Sequence, residues 1–234
     1  MCGRYTLAGP DPGSLRDRFG IGESVEIRRR FNVAPGDDVV CVTTDREGAP
    51  RGDILRWGLV PHWAKDPRTG YKMINARAET VTEKPAFRDA MAQRRCLIVA
   101  DGFYEWQPVP GRPRKRPFWI TRADGEPFAF AGLWATWHGP DETVLRTCTI
   151  LTTSANERLE EIHDRMPVML DDRAAELAWI DHGSDLPELQ ELLVPTPADG
   201  VATREVGQAV SDAHHDEPDC LDPPDPADDP ATLF

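Results

Sequence analysis

Between Cys96 and Thr152 the chain offers four β-rich runs in succession: Cys96 to Ala100, Phe118 to Thr121, Phe128 to Trp134 and Leu145 to Thr152. The pair Asp124-Gly125 between the second and third is a strong hairpin signal, because a tight turn with positive φ suits those residues. Strands and helices do not alternate elsewhere either. Val39 to Thr44 and Ile54 to Leu59 read as strands and Pro61 to Tyr71 as a loop. Helices are expected from Ser14 to Phe19, after a Thr82 cap with Pro85 in the first turn, from a capping box at Ser154 to Glu157 through Ile162, over Asp172 to Trp179, and over Pro187 to Leu193. This pattern predicts an α+β fold with mainly antiparallel sheet, curled toward a barrel and flanked by helices, rather than a doubly wound parallel sheet.

With 234 residues, one domain is expected, over residues 2–210. A hydrophobic share of 40% without any long apolar run fits a soluble protein. The start lacks the basic-then-apolar pattern of secretory export, which points to the cytoplasm. A net charge of -13 would argue against a nucleic-acid partner, but eight acids and no Lys or Arg fall between Ser211 and Phe234, leaving -5 for the rest. That stretch also carries Pro218, Pro223, Pro224, Pro226 and Pro230, so residues 211–234 read as an acidic, disordered tail. Five cysteines without paired short spacing suggest neither a disulfide framework nor a zinc site.

Cys2 stands directly after the initiator methionine. Removal of Met1 would leave an amine and a thiol on adjacent carbons, a pair that condenses with an aldehyde to an imine and then closes to a thiazolidine. Unperturbed, the amine titrates at roughly 7.7 to 8.0 and the thiol near about 8.5, so both nucleophiles are accessible near neutrality. The alternative is a cysteine lost in a flexible terminus.

Six segments occur in one order: Cys2-Gly3-Arg4-Tyr5, Asn32-Val33-Ala34-Pro35-Gly36, Trp57 to Trp63, Ile74 to Thr80, Asp101 to Trp106, and Ile162 to Pro167. Together they resemble the SOS response-associated peptidase (SRAP) family over roughly residues 2 to 182. The resemblance implies a compact α+β domain that shields abasic sites in single-stranded DNA by crosslinking through Cys2. It further implies no cofactor and no metal, a monomer, replication-fork proteins as partners, and a location on the nucleoid when damaged DNA is bound. A peptidase acting in trans, as the family's name suggests, is the competing expectation. Removal of Met1 is either autocatalytic or left to a methionine aminopeptidase.

Glu105 lies among Phe103, Tyr104 and Trp106, where desolvation would raise its pKa and suit it to proton transfer; otherwise it is a surface glutamate. His163 reads as a titrating imidazole or a helix C-terminal cap, and Asn75 as a turn residue or an uncharged donor and acceptor. The resemblance makes Cys2, Asn75, Glu105 and His163 catalytic. Arg77 falls two residues after Asn75 and Arg4 two after Cys2, so each can flank the lesion with a guanidinium for phosphate, although solvated surface charge is the common use. Thr152 matches a phosphate-contacting position of the family, with strand filler as the alternative. Trp57 is expected in the core and Trp63 facing DNA, where a loop tryptophan stacks on a base. The basic run Gly111 to Arg116 is read as an outlying loop, and Val201 to Gly207 follows the family only loosely.

Overall fold

The computed structural model describes residues 2–225. Thirteen strands are formed within them: β1 (Tyr5–Leu7), β2 (Arg30–Val33), β3 (Asp38–Thr44), β4 (Pro50–Trp57), β5 (Asn75–Arg77), β6 (Arg95–Ala100), β7 (Gly102–Gln107), β8 (Arg116–Arg122), β9 (Phe128–His138), β10 (Val144–Ser154), β11 (Arg165–Pro167), β12 (Met169–Leu170) and β13 (Val201–Glu205). The α-helices are α1 (Pro12–Phe19), α2 (Arg88–Gln93), α3 (Glu157–Glu160), α4 (Arg173–Ile180) and α5 (Leu186–Glu191). None of the described helices is long and apolar enough to cross a membrane.

Five strands close on themselves. β4 pairs with β3, β3 with β6, β6 with β9 and β9 with β10, all antiparallel, and a short parallel contact from β10 back to β4 completes the ring. A second antiparallel sheet runs β13-β8-β7-β1-β2. The expected α+β fold with mainly antiparallel, barrel-like sheet is the one observed.

Side-chain alternation splits the core in two, as the pleat requires. Val40, Val42, Leu97, Val99 and Ala131 join Leu15, Phe19, Met91, Trp179 and Leu189 from the helices. Their strand neighbours Val39, Cys41, Leu55, Cys96, Ile98, Phe130, Cys148 and Ile150 join Cys2 and, from the second sheet, Tyr5, Phe103 and Ile120. Tyr5, Phe103 and Phe128 meet this cluster edge-on, with Phe130 at ring distances of 5.6, 6.1 and 5.1 Å respectively.

Four expectations are corrected. Asp124-Gly125 does turn the chain, with Gly125 at φ +76 and its N–H on Arg122 O, but β8 and β9 do not pair. Turn chemistry reverses the chain locally; burial then sends Phe128 and Phe130 into the barrel cluster while β8 stays with β7 and β13. The helix after Thr82 begins only at Arg88, leaving Pro85 in the preceding turns, and the helix after β10 is capped by Asn156, whose Oδ1 accepts from Leu159 N, with Ser154 still in the strand.

The fourth correction concerns the tail. Residues 211–225 are ordered against the body. One Asp216 oxygen accepts from the N–H groups of Phe31 (2.6 Å) and Asn32 (2.7 Å), and the other pairs with Arg30. Cys220 is buried beside Tyr104, Val206 and Val210. Asp216 is thus spent as an acceptor for backbone and arginine, which the composition alone could not show. Residues 226–234 of the expected tail lie outside the described residues.

Candidate active site

Strand β1 brings the chain start to the glutamate. Tyr5 pairs with Phe103 and Thr6 with Gly102, and the bond from Tyr104 N to Arg4 O (2.9 Å) continues that pairing, so residues 2–4 run beside Tyr104 to Trp106. Phe103 and Glu105 share one face of β7, and Phe103 packs in the cluster that holds Cys2. Tyr104 points the other way, into the cluster formed with the C-terminal segment, and its hydroxyl donates to Phe31 O at 2.8 Å.

Asn75 comes from β5, laid parallel to β10 through Ile150 and Leu151. Its Nδ2 donates to Cys2 O at 2.8 Å, fixing residue 2 in place. Its Oδ1 is buried and has no hydrogen-bond partner among the described residues, so an acceptor stands open beside Cys2. The segment leading to Asn75 depends on a close crossing of Gly58 and Gly70. A Cβ on Gly58, at φ +122, would fall 2.8 Å from Gly70 O, and nearby Trp57 Nε1 holds Ile74 O at 2.8 Å.

Cys2 has no solvent exposure, and burial together with the nearby Glu105 charge pushes its thiol well above the ordinary range. The expectation of a thiol that ionises readily near neutrality therefore does not hold in this setting. Glu105, 5% exposed, is itself raised to about 7, chiefly by desolvation and against the attraction of Lys115. The glutamate is thus the group poised to exchange a proton near neutral pH.

His163 follows α3, and Gln107 at the end of β7 donates to Glu161 O at 2.9 Å, which ties that turn to the glutamate's strand. Its Nδ1 accepts from Arg165 N at 3.0 Å, which leaves the ring proton on Nε2. Asp164 Oδ1 also lies 2.9 Å from Nδ1, but that carboxylate is 85% exposed and cannot share a nitrogen that already accepts, so the backbone bond sets the tautomer. Desolvation and Lys115 hold the imidazole below its usual range, hence neutral.

The residues expected on DNA are placed less uniformly. Arg77 is exposed on β5, next to Thr152 in the pairing. Trp63 is 53% exposed on a loop whose base is fixed by Trp137 Nε1 to Ala64 O (2.7 Å), while Trp57 is in the core. Arg4 is half-buried and turned inward: it donates to Asn32 Oδ1 (3.0 Å) and Val210 O (2.7 Å), clamping the C-terminal segment. Thr152 is wholly buried, and its carbonyl and hydroxyl face Arg165 at 2.6 and 3.4 Å, so its hydroxyl is not presented to a phosphate. Two cations that the sequence reading left aside act on the candidate site residues. Arg165 bridges Thr152, Glu79 and the His163 turn, and the Lys115 charge reaches both Glu105 and His163. Arg165 sits two residues from His163 inside a segment already singled out, which was the available signal; Lys115 was visible only as one charge in the basic loop.

Residues 1–213 match the family model described as SOS response associated peptidase. The chain belongs to the SRAP family. Its SRAP relatives include the abasic site processing protein YoqW of Bacillus subtilis, 41% identical over 226 residues that cover 95% of this chain and 99% of the relative. The abasic site processing protein HMCES of Rattus norvegicus is 31% identical over 199 residues, 73% of this chain and 56% of that protein. A solved structure from Bacteroides thetaiotaomicron shares the SRAP fold with a TM-score of 0.84 at 22% identity, covering 95% of this chain and 99% of that one.

Proposed function

We propose that this SRAP protein processes abasic sites in DNA, capturing the lesion in single-stranded DNA as a thiazolidine on Cys2 once Met1 has been removed. Relatives named abasic site processing proteins support the substrate. The observation that carries the chemistry is the environment of residue 2, pinned by Asn75 and set beside a buried carboxyl that titrates at about 7.

An abasic sugar is mostly a closed hemiacetal, so a proton must be moved before an aldehyde exists. Protonated Glu105 delivers one to the ring oxygen, and the C1′ hydroxyl gives its own to water as the ring opens. The Cys2 amine adds to the C1′ carbonyl; water leaves and an imine forms. The thiol then adds to the imine carbon while its proton passes to the imine nitrogen, which closes the ring with no atom unaccounted for. Glu105, anionic after its first transfer, relays that proton, taking it from the buried thiol and handing it to the imine nitrogen. His163, neutral with its proton on Nε2, donates a hydrogen bond from that nitrogen to a sugar oxygen, and Asn75 Oδ1 accepts from the amine or a sugar hydroxyl.

Arg77 is the phosphate contact this placement favours, with Trp63 stacking on a flanking base. Met1 is removed by the same buried pair of Cys2 and Glu105 or by an aminopeptidase.

The test is to incubate the full chain with single-stranded DNA carrying one abasic site and resolve the products on a denaturing gel. A heat-stable adduct is expected, formed only by protein whose mass shows that it starts at Cys2, and abolished in Cys2→Ala. Equal adduct from wild type and Cys2→Ala would overturn the proposal.

A further inference from the structure

The C-terminal segment gathers a second group of chemistry-bearing side chains, away from Cys2. His215 Nε2 lies 2.6 Å from Asp219 Oδ1, Cys220 follows directly, and one ligand atom of each falls within 4.8 Å of the other two. Cysteine spacing gives no hint of this group, because it uses a single cysteine and draws its other donors from an acidic stretch.

The donor set is thiolate, imidazole and carboxylate, the borderline combination that suits zinc. With metal-ligand lengths of about 2.0 to 2.3 Å, tetrahedral ligands stand roughly 3.3 to 3.8 Å apart. Rotation of the two surface side chains, His215 and Asp219, bridges the difference. Cys220 is already held: it is buried among Tyr104, Val206 and Val210, with its Sγ 3.5 Å from His215 O. The 3-10 turn Pro218–Leu221 and the four-residue spacing of His215 and Asp219 present all three from one compact loop.

The surroundings favour a cation as well. Asp212, Asp216, Glu217, Asp219 and Asp222 crowd the segment, which is held to the body by a small apolar cluster and by hydrogen bonds from Asn32 to Asp212 O and His215 O, from Arg204 to Leu221 O, and from the Phe31 and Asn32 N–H groups to Asp216. A short extension with so small a core of its own gains most from a staple.

We infer that Cys220, His215 and Asp219 bind one zinc ion, with water in the fourth position, and that this ion fastens the C-terminal segment behind the strand that carries Glu105. Binding displaces the thiol proton of Cys220 to solvent, and His215 gives its Nε2 lone pair, so that its ring proton resides on Nδ1. Tyr104 is the mechanical link, packing on Cys220 from one face of β7 while Glu105 occupies the other.

The test uses the full chain as Cys2→Ala, so that a terminal aminothiol cannot itself chelate the probe. Chelator-stripped protein is titrated with Co2+ and then with Zn2+. The expected result is a tetrahedral Co2+ spectrum with a thiolate-to-metal band that saturates at one equivalent, is displaced by zinc, and accompanies a rise in melting temperature. Cys220→Ser should remove the thiolate band, and the surface variants His215→Gln and Asp219→Asn should each weaken zinc binding by more than about tenfold, the least that loss of a supporting partner costs. Circular dichroism confirms that these surface variants remain folded. Absence of the band in folded protein, a band unchanged in Cys220→Ser, or equal zinc affinity in His215→Gln would each overturn the inference.

Discussion

Glu105→Gln should stabilise the fold above neutrality while disabling the site. The carboxyl ordinarily titrates at 4.5 and is raised to about 7 here, mainly by desolvation. Between those two values the unfolded chain has released the proton and the folded chain still holds it. Stability must therefore fall as pH rises through that window, and stay level on either side as far as this group is concerned. The gap of about 2.5 pH units, at about 1.4 kcal/mol each, amounts to about 3 kcal/mol at full ionisation. Glutamine keeps the shape and does not ionise, so the loss disappears with the charge. Urea unfolding of wild type and Glu105→Gln at steps from about pH 4 to about pH 8.5 should show the difference in stability growing by about 3 kcal/mol in favour of the variant. Crosslinking by the variant should slow by about 10² to 10⁴, the usual worth of general acid-base help. A stability difference that does not change with pH would refute the reasoning, because Glu105 would then have no raised pKa to lose.

Asn75→Ala removes the bond to Cys2 O and should cost about 1 kcal/mol in urea unfolding, with slower adduct formation at saturating DNA. Arg77→Ala should weaken DNA binding and reduce the slope of log affinity against log salt by about one, measured by fluorescence anisotropy. Thr152→Val should leave DNA affinity unchanged in the same assay, since its hydroxyl is buried under Arg165; a marked loss would show that the hydroxyl does reach the strand. Truncation after Val210 strips Asp216 from Arg30, Phe31 and Asn32 and uncovers Tyr104, so the urea midpoint should drop by the equivalent of at least about 3 kcal/mol. An unchanged midpoint would mean the segment rests on the body without supporting it.

The parts legible in the sequence were those governed by local pattern. The β-rich runs at Cys96, Phe128 and Leu145 became β6, β9 and β10 because alternating apolar side chains have one stable arrangement on a two-sided core. Asp172 was readable as a helix start because its side chain caps Ala175 N, a contact only three residues long. Partner choice was not readable: Asp124-Gly125 specifies a turn, but nothing local states that β8 and β9 leave it for different sheets. The same limit applies to the site. Glu105 could be suspected from its aromatic neighbours, whereas the inward turn of Arg4 onto Val210 spans 206 residues of sequence and the order of residues 211–225 depends on Asp216 reaching Phe31. Acid-rich, proline-rich composition predicts disorder only when no cation and no orphan backbone donor elsewhere can use those acids.

The burial of Cys2 also bears on the order of the proposed bond-forming steps. A thiol held well above its ordinary pKa is a poor first nucleophile, because almost none of it is thiolate near neutrality. The amine that loss of Met1 would expose carries no such requirement for a separated anion, so in the proposed sequence it attacks the aldehyde first. Imine formation then changes the problem for sulfur. Protonated imine carbon is a far stronger electrophile than the aldehyde, it lies on the same residue's reach, and Glu105 is by then the nearby base. Burial thus suppresses stray thiol chemistry before the lesion arrives, and it costs little afterwards, since the thiol proton needs to travel only to Glu105 or to the imine nitrogen. Asn75 completes the argument by holding the Cys2 carbonyl, so the amine and the thiol approach one carbon from a fixed backbone rather than from a fraying terminus.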